Sequence, residues 1–369
     1  MKSLFDEVSL GSMTLKNRFV RSATWEGMCD ERGAPGEKLA SLYEDLVRGG
    51  VGLIVSGYAY VRPEGKQQVG KLGIYDDSLV SPASVLVERV HSLGGKIAIQ
   101  LVHAGGQASR SVSGLETIAP SALPFPSYAE VPRQMTEEDI RECVEAFADA
   151  AERARVSGFD AIQLHGAHGF LISQFLSPAT NKRDDAYGGS LENRSRFLMD
   201  VYRAVRERVG AEFPVFIKVN ADDFTSGGLS IDESVRVAEM LDDAGIDAIE
   251  VSGGTPASGE KNPARFGILS TEKEAYHRKF AAAMKEKVKV PVILVGGLRS
   301  PRMLVEILLS GDADLFSMSR PFIREPSLIN RWYSGDNDVA TCISCNGCFE
   351  PGLKEGGIYC VVEKRAREK

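Results

Sequence analysis

Two histidines stand three residues apart in His165-Gly166-Ala167-His168. Imidazoles at that spacing, where a strand gives way to a loop, can both donate to one oxygen atom. Donors converging on a carbonyl oxygen stabilise negative charge developing there, which makes a conjugated alkene electrophilic at its β-carbon. A metal site would need a third ligand, and no nearby His or carboxylate spacing supplies one. The plainer reading is a pair of loop histidines satisfied by backbone carbonyls.

A second group of residues suits an anion. Gly296-Gly297 follows one apolar strand, and Ser317-Met318-Ser319-Arg320 closes the next. Glycines let backbone N–H groups approach a phosphate, and Arg320 adds charge with a fork of donors. A tight turn would also explain the glycine pair. Gln100 and His103 end another strand, and an amide such as Gln100 both donates to and accepts from a heterocycle like the flavin pyrimidine ring. Lys218 ends a further strand and would set a positive charge beside that ring. Together with the glycine loops, these residues outline a site for a long phosphorylated heterocycle.

The chain has six cysteines, four of them in the pattern Cys342-x2-Cys345-x2-Cys348-x11-Cys360. Three thiolates at two-residue intervals can wrap one face of a compact cluster and a distant fourth can close it, the logic of [4Fe-4S] ligation. Structural zinc more often uses paired C-x2-C knuckles, and an empty site is the third reading. Cys29 and Cys143 have no such company and read as ordinary thiols.

Strands followed by helices must position these groups. Mostly apolar strands are expected at 19–24, 51–56, 96–101, 161–165, 215–220, 248–252, 292–296 and 314–319, a pattern suited to a parallel sheet buried on both faces. Helices are expected between them, for example at 37–48, 137–157, 191–209, 232–244 and 301–310. Eight strand–helix units make an α/β fold of the (β/α)8 TIM barrel type. A doubly wound sheet shares the alternation, but no G-x-G-x-x-G follows the first strand. Thr24, Tyr58, Gln100, His165, His168, Lys218, Gly296, Gly297, Ser319 and Arg320 all gather just after strands, at the rim where barrels place their chemistry. Residues 104–135, with Pro120, Pro124, Pro126 and Pro132, read as a long rim loop too rich in proline and serine for regular structure. One barrel over 1–335 and a short cysteine-rich C-terminal extension over 336–369 account for the whole length.

The 369 residues are 43% hydrophobic and 26% charged, with a net charge of −7. That excludes disordered and fibrous classes and gives no general attraction to nucleic acid or to an anionic membrane. No apolar run approaches the roughly 18 residues of a membrane span, and the first ten residues carry no signal-peptide pattern. A cytoplasmic location is expected.

Four segments carry a family resemblance: 15–19 (LKNRF), 100–105 (QLVHAG), 165–178 (HGAHGFLISQFLSP) and 183–194 (RDDAYGGSLENR). On these the chain resembles the old yellow enzyme family of FMN-dependent ene-reductases (the NADH:flavin oxidoreductase type) across essentially the whole barrel. The cysteine tail is similar to that of the branch containing 2,4-dienoyl-CoA reductase and trimethylamine dehydrogenase, which carry a [4Fe-4S] cluster there. Their nucleotide-binding domains are not expected in this chain. The resemblance implies FMN at the rim, with Gln100 and Lys218 at the pyrimidine edge, Gly296, Gly297, Ser319 and Arg320 around the phosphate, and Ala23, Thr24, Trp25 and Tyr58 near the ring system. It further implies that His165 and His168 hold a substrate carbonyl, and that Cys342, Cys345, Cys348 and Cys360 hold the cluster. Three positions depart from the family pattern: Phe170 replaces a proton-donating tyrosine, Trp25 replaces a small residue near the flavin, and Lys218 replaces an arginine. Tyr58, Tyr187 or solvent must then supply the proton if an enone or enoyl substrate is reduced. NAD(P)H, or a ferredoxin or flavoprotein partner, would deliver electrons, and a homo-oligomer fits the family. An amine or steroid dehydrogenase, or an electron-transfer subunit of a larger flavoprotein complex, are the alternatives.

Overall fold

The computed structural model describes residues 2–125 and 130–368. Among these, eight strands pair in parallel and close into a barrel: β1 (Phe19–Arg21), β2 (Leu53–Val55), β3 (Ile97–Val102), β4 (Ala161–Gly166), β5 (Val215–Asn220), β6 (Ile249–Ser252), β7 (Val292–Val295) and β8 (Leu315–Met318). Closure is completed by β8 against β1, as Phe316 pairs with Phe19, and by β2 against β3, as Ile54 pairs with Ile97. The expected (β/α)8 barrel is therefore the observed fold.

Helices cover the outside. They are α1 (Glu37–Arg48), α2 (Val80–Ser92), α3 (Glu137–Val156), α4 (Leu191–Val209), α5 (Ile231–Asp243), α6 (Arg278–Lys285), α7 (Pro301–Ser310) and α8 (Leu328–Tyr333). Their starts follow local chemistry. Thr136 and Asp139 form a reciprocal capping box at α3, as Ser230 and Glu233 do at α5, each satisfying two backbone donors that the first turn leaves free. Proline opens α7 and Gly311, in a left-handed conformation at φ 79°, ends it.

The barrel interior changes character along its axis. At the bottom, Val20, Leu53, Val55, Ala98, Ala161, Phe216, Ala248, Ile293 and Leu315 form a dry plug. A hairpin of Val8–Leu10 with Met13–Leu15 seals it from below with Leu10, Met13 and Leu15. Because side chains alternate across a strand, residues two positions on face the same interior. There the apolar layer gives way to Gln100, Gln163, Lys218 and Glu250, each at most 2% exposed. The strand pattern thus delivers polar groups to one end only.

Two expectations are corrected. The loop 104–135 carries short regular pieces: a turn at Gly105–Gln107, a helix at Arg110–Ser113, and strands Ile118–Ala119 and Arg133–Gln134 paired in parallel. Arg133 N–H donates to Thr117 O and Met135 N–H to Ala119 O, so pairing forms where the prolines leave donors free. Pro126 lies outside the described residues. Second, β1 stops at Arg21 rather than at residue 24: Ser22 N–H makes a last bond to Met318 O, and the side chains of Ser22 and Thr24 bond Glu250 and Ser319 at the rim. After β2, Ala59–Tyr60 resumes pairing with β3 one residue out of register, so the second strand bulges between 56 and 58. That bulge precedes Tyr58's turn to the rim.

The tail is tied to the barrel. Arg299 and Ala340 exchange backbone and side-chain bonds, Gly267 N–H donates to Ser344 O, and Ile358 N–H donates to Glu26 O. Among the described residues no helix is long and apolar enough to cross a membrane.

Candidate active site

A cavity of about 600 Å³ opens at the C-terminal ends of the strands. Ala23, Thr24, Trp25, Tyr58, Gln100, His165, His168, Lys218, Gly296, Gly297, Ser319 and Arg320 all line it. Tyr187 does not. Its ring packs on Phe175 and its hydroxyl donates to Asp200 Oδ2 at 3.3 Å, among the outer helices, so the structure leaves it out of the site. His103 is likewise withdrawn, 1% exposed, its Nδ1 accepting from Gly105 N–H at 2.9 Å.

One wall is a buried polar chain. Gln100 Nε2 donates to Gln163 Oε1 at 2.6 Å, and Gln163 Nε2 donates to Glu250 Oε2 at 2.6 Å. Glu250 Oε1 lies 3.3 Å from Lys218 Nζ and accepts from Ser22 Oγ at 3.0 Å, while Lys218 donates to Ser22 Oγ at 2.9 Å. Burial lowers the Lys218 pKa, and Glu250 opposes that shift. At the cavity end of this chain, Gln100 Oε1 is buried with no partner among the described residues. A buried acceptor without a donor is costly, and a ligand N–H at this edge would complete it. Gln163, Glu250 and Ser22 were missed in the sequence. The signal was their spacing: Gln163 stands two residues before His165, Glu250 two before Ser252, on the inward face.

The opposite end offers room and donors for an anion. Gly296 sits at φ 128° and Gly297 at φ 71°, and an added Cβ would come within 2.7 Å and 2.9 Å of the Tyr276 ring. Only glycine fits both the backbone and the space. Ser317 Oγ is buried without a partner among the described residues, and Thr24 Oγ1 meets Ser319 Oγ at 2.6 Å. Arg320 is held by Arg265 O and Asn346 Oδ1, both at 2.7 Å from Nη1. An open amide edge, a buried lysine and a glycine-lined end fit a phosphorylated flavin.

The His pair lines the same cavity. The ring centroids of His165 and His168 are 5.2 Å apart at 86°. His165 Nδ1 accepts from Ala167 N–H at 3.4 Å, which places its remaining proton on Nε2. His168 Nε2 is 2.7 Å from Ser252 Oγ. Burial pushes both imidazoles well below their ordinary range, helped at His165 by His168, Lys218 and Lys71, and at His168 by Lys218 and His277. Both are thus neutral at pH 7, each with a single N–H, and Ser252 Oγ donating to His168 Nε2 would leave that of His168 on Nδ1. Phe170 packs its ring 4.7 Å from His165 and 5.3 Å from Tyr58. Trp25 Nε1 donates to Val69 O, and its ring lies against Gly352 of the tail.

All four tail cysteines, Cys342, Cys345, Cys348 and Cys360, line a second cavity of about 20 Å³ together with Arg320. Burial pushes the Cys348 thiol up to about 12 and raises Cys342 as well. Among the described residues no group of three or more His, Cys, Asp or Glu side chains is placed to hold a metal ion.

Residues 3–338 match the NADH:flavin oxidoreductase / NADH oxidase family. The NADH oxidase of Thermoanaerobacter brockii is 37% identical over 353 residues, covering 94% of this chain and 53% of that protein. The 2-naphthoyl-CoA reductase in complex with 2-naphthoyl-CoA superposes with a TM-score of 0.91 at 27% identity, covering 99% of this chain and 57% of that one. An old yellow enzyme homologue from Zymomonas mobilis gives a TM-score of 0.78 at 28% identity, covering 90% of this chain and 93% of that one. The chain spans about half the length of the first two of these proteins. With the barrel, the amide edge and the glycine-lined end in place, the match over residues 3–338 means that this chain belongs to the NADH:flavin oxidoreductase / NADH oxidase family, the flavin enzymes related to old yellow enzyme.

Proposed function

We propose that this protein uses FMN and NAD(P)H to reduce the C=C bond of α,β-unsaturated carbonyl compounds. The observation that carries this reading is the pair of buried, neutral imidazoles lining the same cavity as Gln100 and Lys218. Neutral N–H donors suit a carbonyl oxygen better than they suit a cationic amine. FMN, when bound, supplies a hydride. His165 and His168 donate to the substrate oxygen and stabilise the charge that reaches it. Gln100 and Lys218 hold the pyrimidine edge, and Gly296, Gly297, Ser319 and Arg320 hold the phosphate. Phe170 cannot donate a proton, and Tyr58 is the cavity phenol beside it that can, its ring 6.0 Å from His165. A carbonyl conjugated to an unsaturated ring, as in the 2-naphthoyl-CoA that the similar reductase binds, has the required chemistry.

The spacing Cys342-x2-Cys345-x2-Cys348-x11-Cys360 supports a [4Fe-4S] cluster there, which would supply one-electron transfer; the four thiols line one small cavity but are not drawn together as ligands among the described residues. Arg320 lines both cavities. A barrel over 1–335 with 336–369 as a cofactor-binding extension fits that division.

Anaerobic incubation of the FMN-loaded protein with NAD(P)H and an enone tests the reading. The saturated ketone is expected. Replacing both His165 and His168 with alanine is expected to abolish enone binding and leave FMN bound; unchanged turnover would sink the role given to the pair.

A further inference from the structure

Arg265 stands at the rim of the larger cavity: its neighbours Asn262, Pro263 and Ala264 line that cavity, and Arg265 does not. Its guanidinium carbon lies 4.1 Å from the centroid of the Tyr276 ring and 5.4 Å from that of Phe224. Lys261, exposed, brings its Nζ to 5.3 Å from the same Phe224 ring. No carboxylate lies within ion-pair distance of Arg265 among the described residues, and its Nε is buried without a partner. Burial works against the charge, yet a guanidinium keeps its proton. Rings against it stabilise that charge and leave its in-plane N–H edge for a partner. Such an edge fits two oxygens of a phosphate.

The segment that presents Arg265 is fixed in advance. Tyr276 Oη donates to Pro263 O at 3.3 Å, Asn346 Nδ2 to Ala264 O at 2.6 Å, and Arg320 Nη1 to Arg265 O at 2.7 Å. Three successive carbonyls are thus held by three side chains from elsewhere in the chain, which lowers the cost of ordering this edge around a ligand. Phe224 connects Arg265 to the reacting end. Ser252, the partner of His168 Nε2, is followed by Gly253, where an added Cβ would come within 3.0 Å of the Phe224 ring. A ligand seated at the His pair and longer than the cavity meets Arg265 with the part that projects.

We infer that Arg265, with Lys261 beside it, is a phosphate subsite at the mouth of the cavity, taking the adenosine diphosphate portion of a ligand whose reacting end sits inside. This rests on the enone reduction proposed above and deepens it. Two ligands of that reaction carry such a group: NAD(P)H, and an enoyl substrate delivered as a CoA thioester. The phosphate of FMN is a separate anion, assigned inside the cavity to Gly296, Gly297 and Ser319, which line it.

Arg265→Gln in the FMN-loaded protein tests the subsite with matched ligands, and Lys261→Gln serves as an exposed second variant should the first fold poorly. Crotonyl-CoA is compared with the crotonyl thioester of N-acetylcysteamine, which has the same C=C bond and no phosphate. NADPH is compared with 1-benzyl-1,4-dihydronicotinamide, a hydride donor without phosphate. Arg265→Gln is expected to raise KM about tenfold for the phosphate-bearing member of at least one pair and to leave its phosphate-free member unchanged. The pair that responds identifies the source of the phosphate. Arg265→Lys, which keeps the charge and loses the fork, is expected to recover part of the loss. A second readout needs no turnover: calorimetric titration of the oxidised protein with CoA and with NADP+ is expected to show about tenfold weaker binding of at least one of them in Arg265→Gln. Equal changes within both pairs, or no change in either, overturn the proposal. Loss of FMN from Arg265→Gln overturns it too, by giving the guanidinium to the flavin phosphate. Weaker CoA or NADP+ binding in a protein that reduces no enone overturns the reaction assigned above and keeps the phosphate subsite.

Discussion

Asn220 Oδ1 accepts a hydrogen bond from the backbone N–H of His168 at 3.0 Å, and His168 sits at φ 62°, a left-handed conformation uncommon outside glycine. Asn220 is itself fixed from its other end, where Nδ2 donates to Asp223 Oδ1 at 2.8 Å. Gln107 Nε2 donates to His168 O at 2.9 Å from the opposite side. A histidine held off its preferred backbone by two flanking amides is a histidine whose ring direction is set by its neighbours.

Asn220→Ala removes one of those holds. Losing a buried bond to a strained backbone position is expected to cost about 2 kcal/mol, measured by urea unfolding of the FMN-loaded protein. Enone kcat/KM is expected to fall about tenfold as the His168 ring loses its aim. A variant with normal kinetics would show that the His168 backbone keeps its conformation unaided.

The Glu250 carboxylate is the hub of the buried polar chain, accepting from Gln163 and Ser22 and pairing with Lys218. Glu250→Leu strands the Lys218 ammonium, and the expected loss is about 3 kcal/mol or more, with weaker FMN binding. Combining it with Lys218→Met is expected to return part of the stability and none of the FMN affinity. Urea unfolding and FMN titration read the two effects separately. A double variant no more stable than Glu250→Leu would contradict the pairing.

Stability should depend on pH through the histidines. His165 and His168 lie well below their ordinary pKa through burial, and burial brings His277 down to about 3. The unfolded chain therefore takes up protons below about pH 6.5 that the folded protein refuses. The stability these groups contribute is complete above that pH and is lost as pH falls, by up to about 1.4 kcal/mol per unit for each. For Glu64, burial works against the carboxylate, but His103 and Arg62 outweigh it and hold it down to about 2, so its loss begins only below about 4.5. The urea midpoint is expected to drop between pH 7 and pH 5 in the wild type and to drop less in His165→Asn/His168→Asn. Parallel curves would place the proton uptake elsewhere.

Protein prepared without oxygen is expected to carry about four iron and four sulfide per chain. Cys348→Ser is expected to lose the iron and keep FMN, since the cysteine cavity and the larger cavity at the strand ends share only Arg320 among their lining residues. Iron-free protein from strictly anaerobic preparation would remove the cluster and the electron route it offers.

Much of the scaffold is local in origin. Helices α1, α4 and α7 span the residues expected of them because an apolar stripe, a capping side chain or a closing glycine specifies each within a few positions. Rim residues such as His165, Lys218 and Gly297 were legible for a related reason: in a parallel barrel, whatever follows an apolar strand arrives at one end. What a sequence cannot carry is which of two rim candidates faces inward. Tyr58 and Tyr187 looked alike as phenols near the site, yet a register shift beside β3 brings one to the cavity while helix packing gives the other to Asp200. Glu250 and Asn220 were silent because a buried charge or amide acquires meaning only from partners far along the chain, Lys218 and Ser22 for the first and His168 for the second. Local periodicity thus determined the barrel and the end that bears the chemistry. Only closure of the sheet, which sets distant polar atoms within hydrogen-bond reach in a dry interior, decided which residues act together.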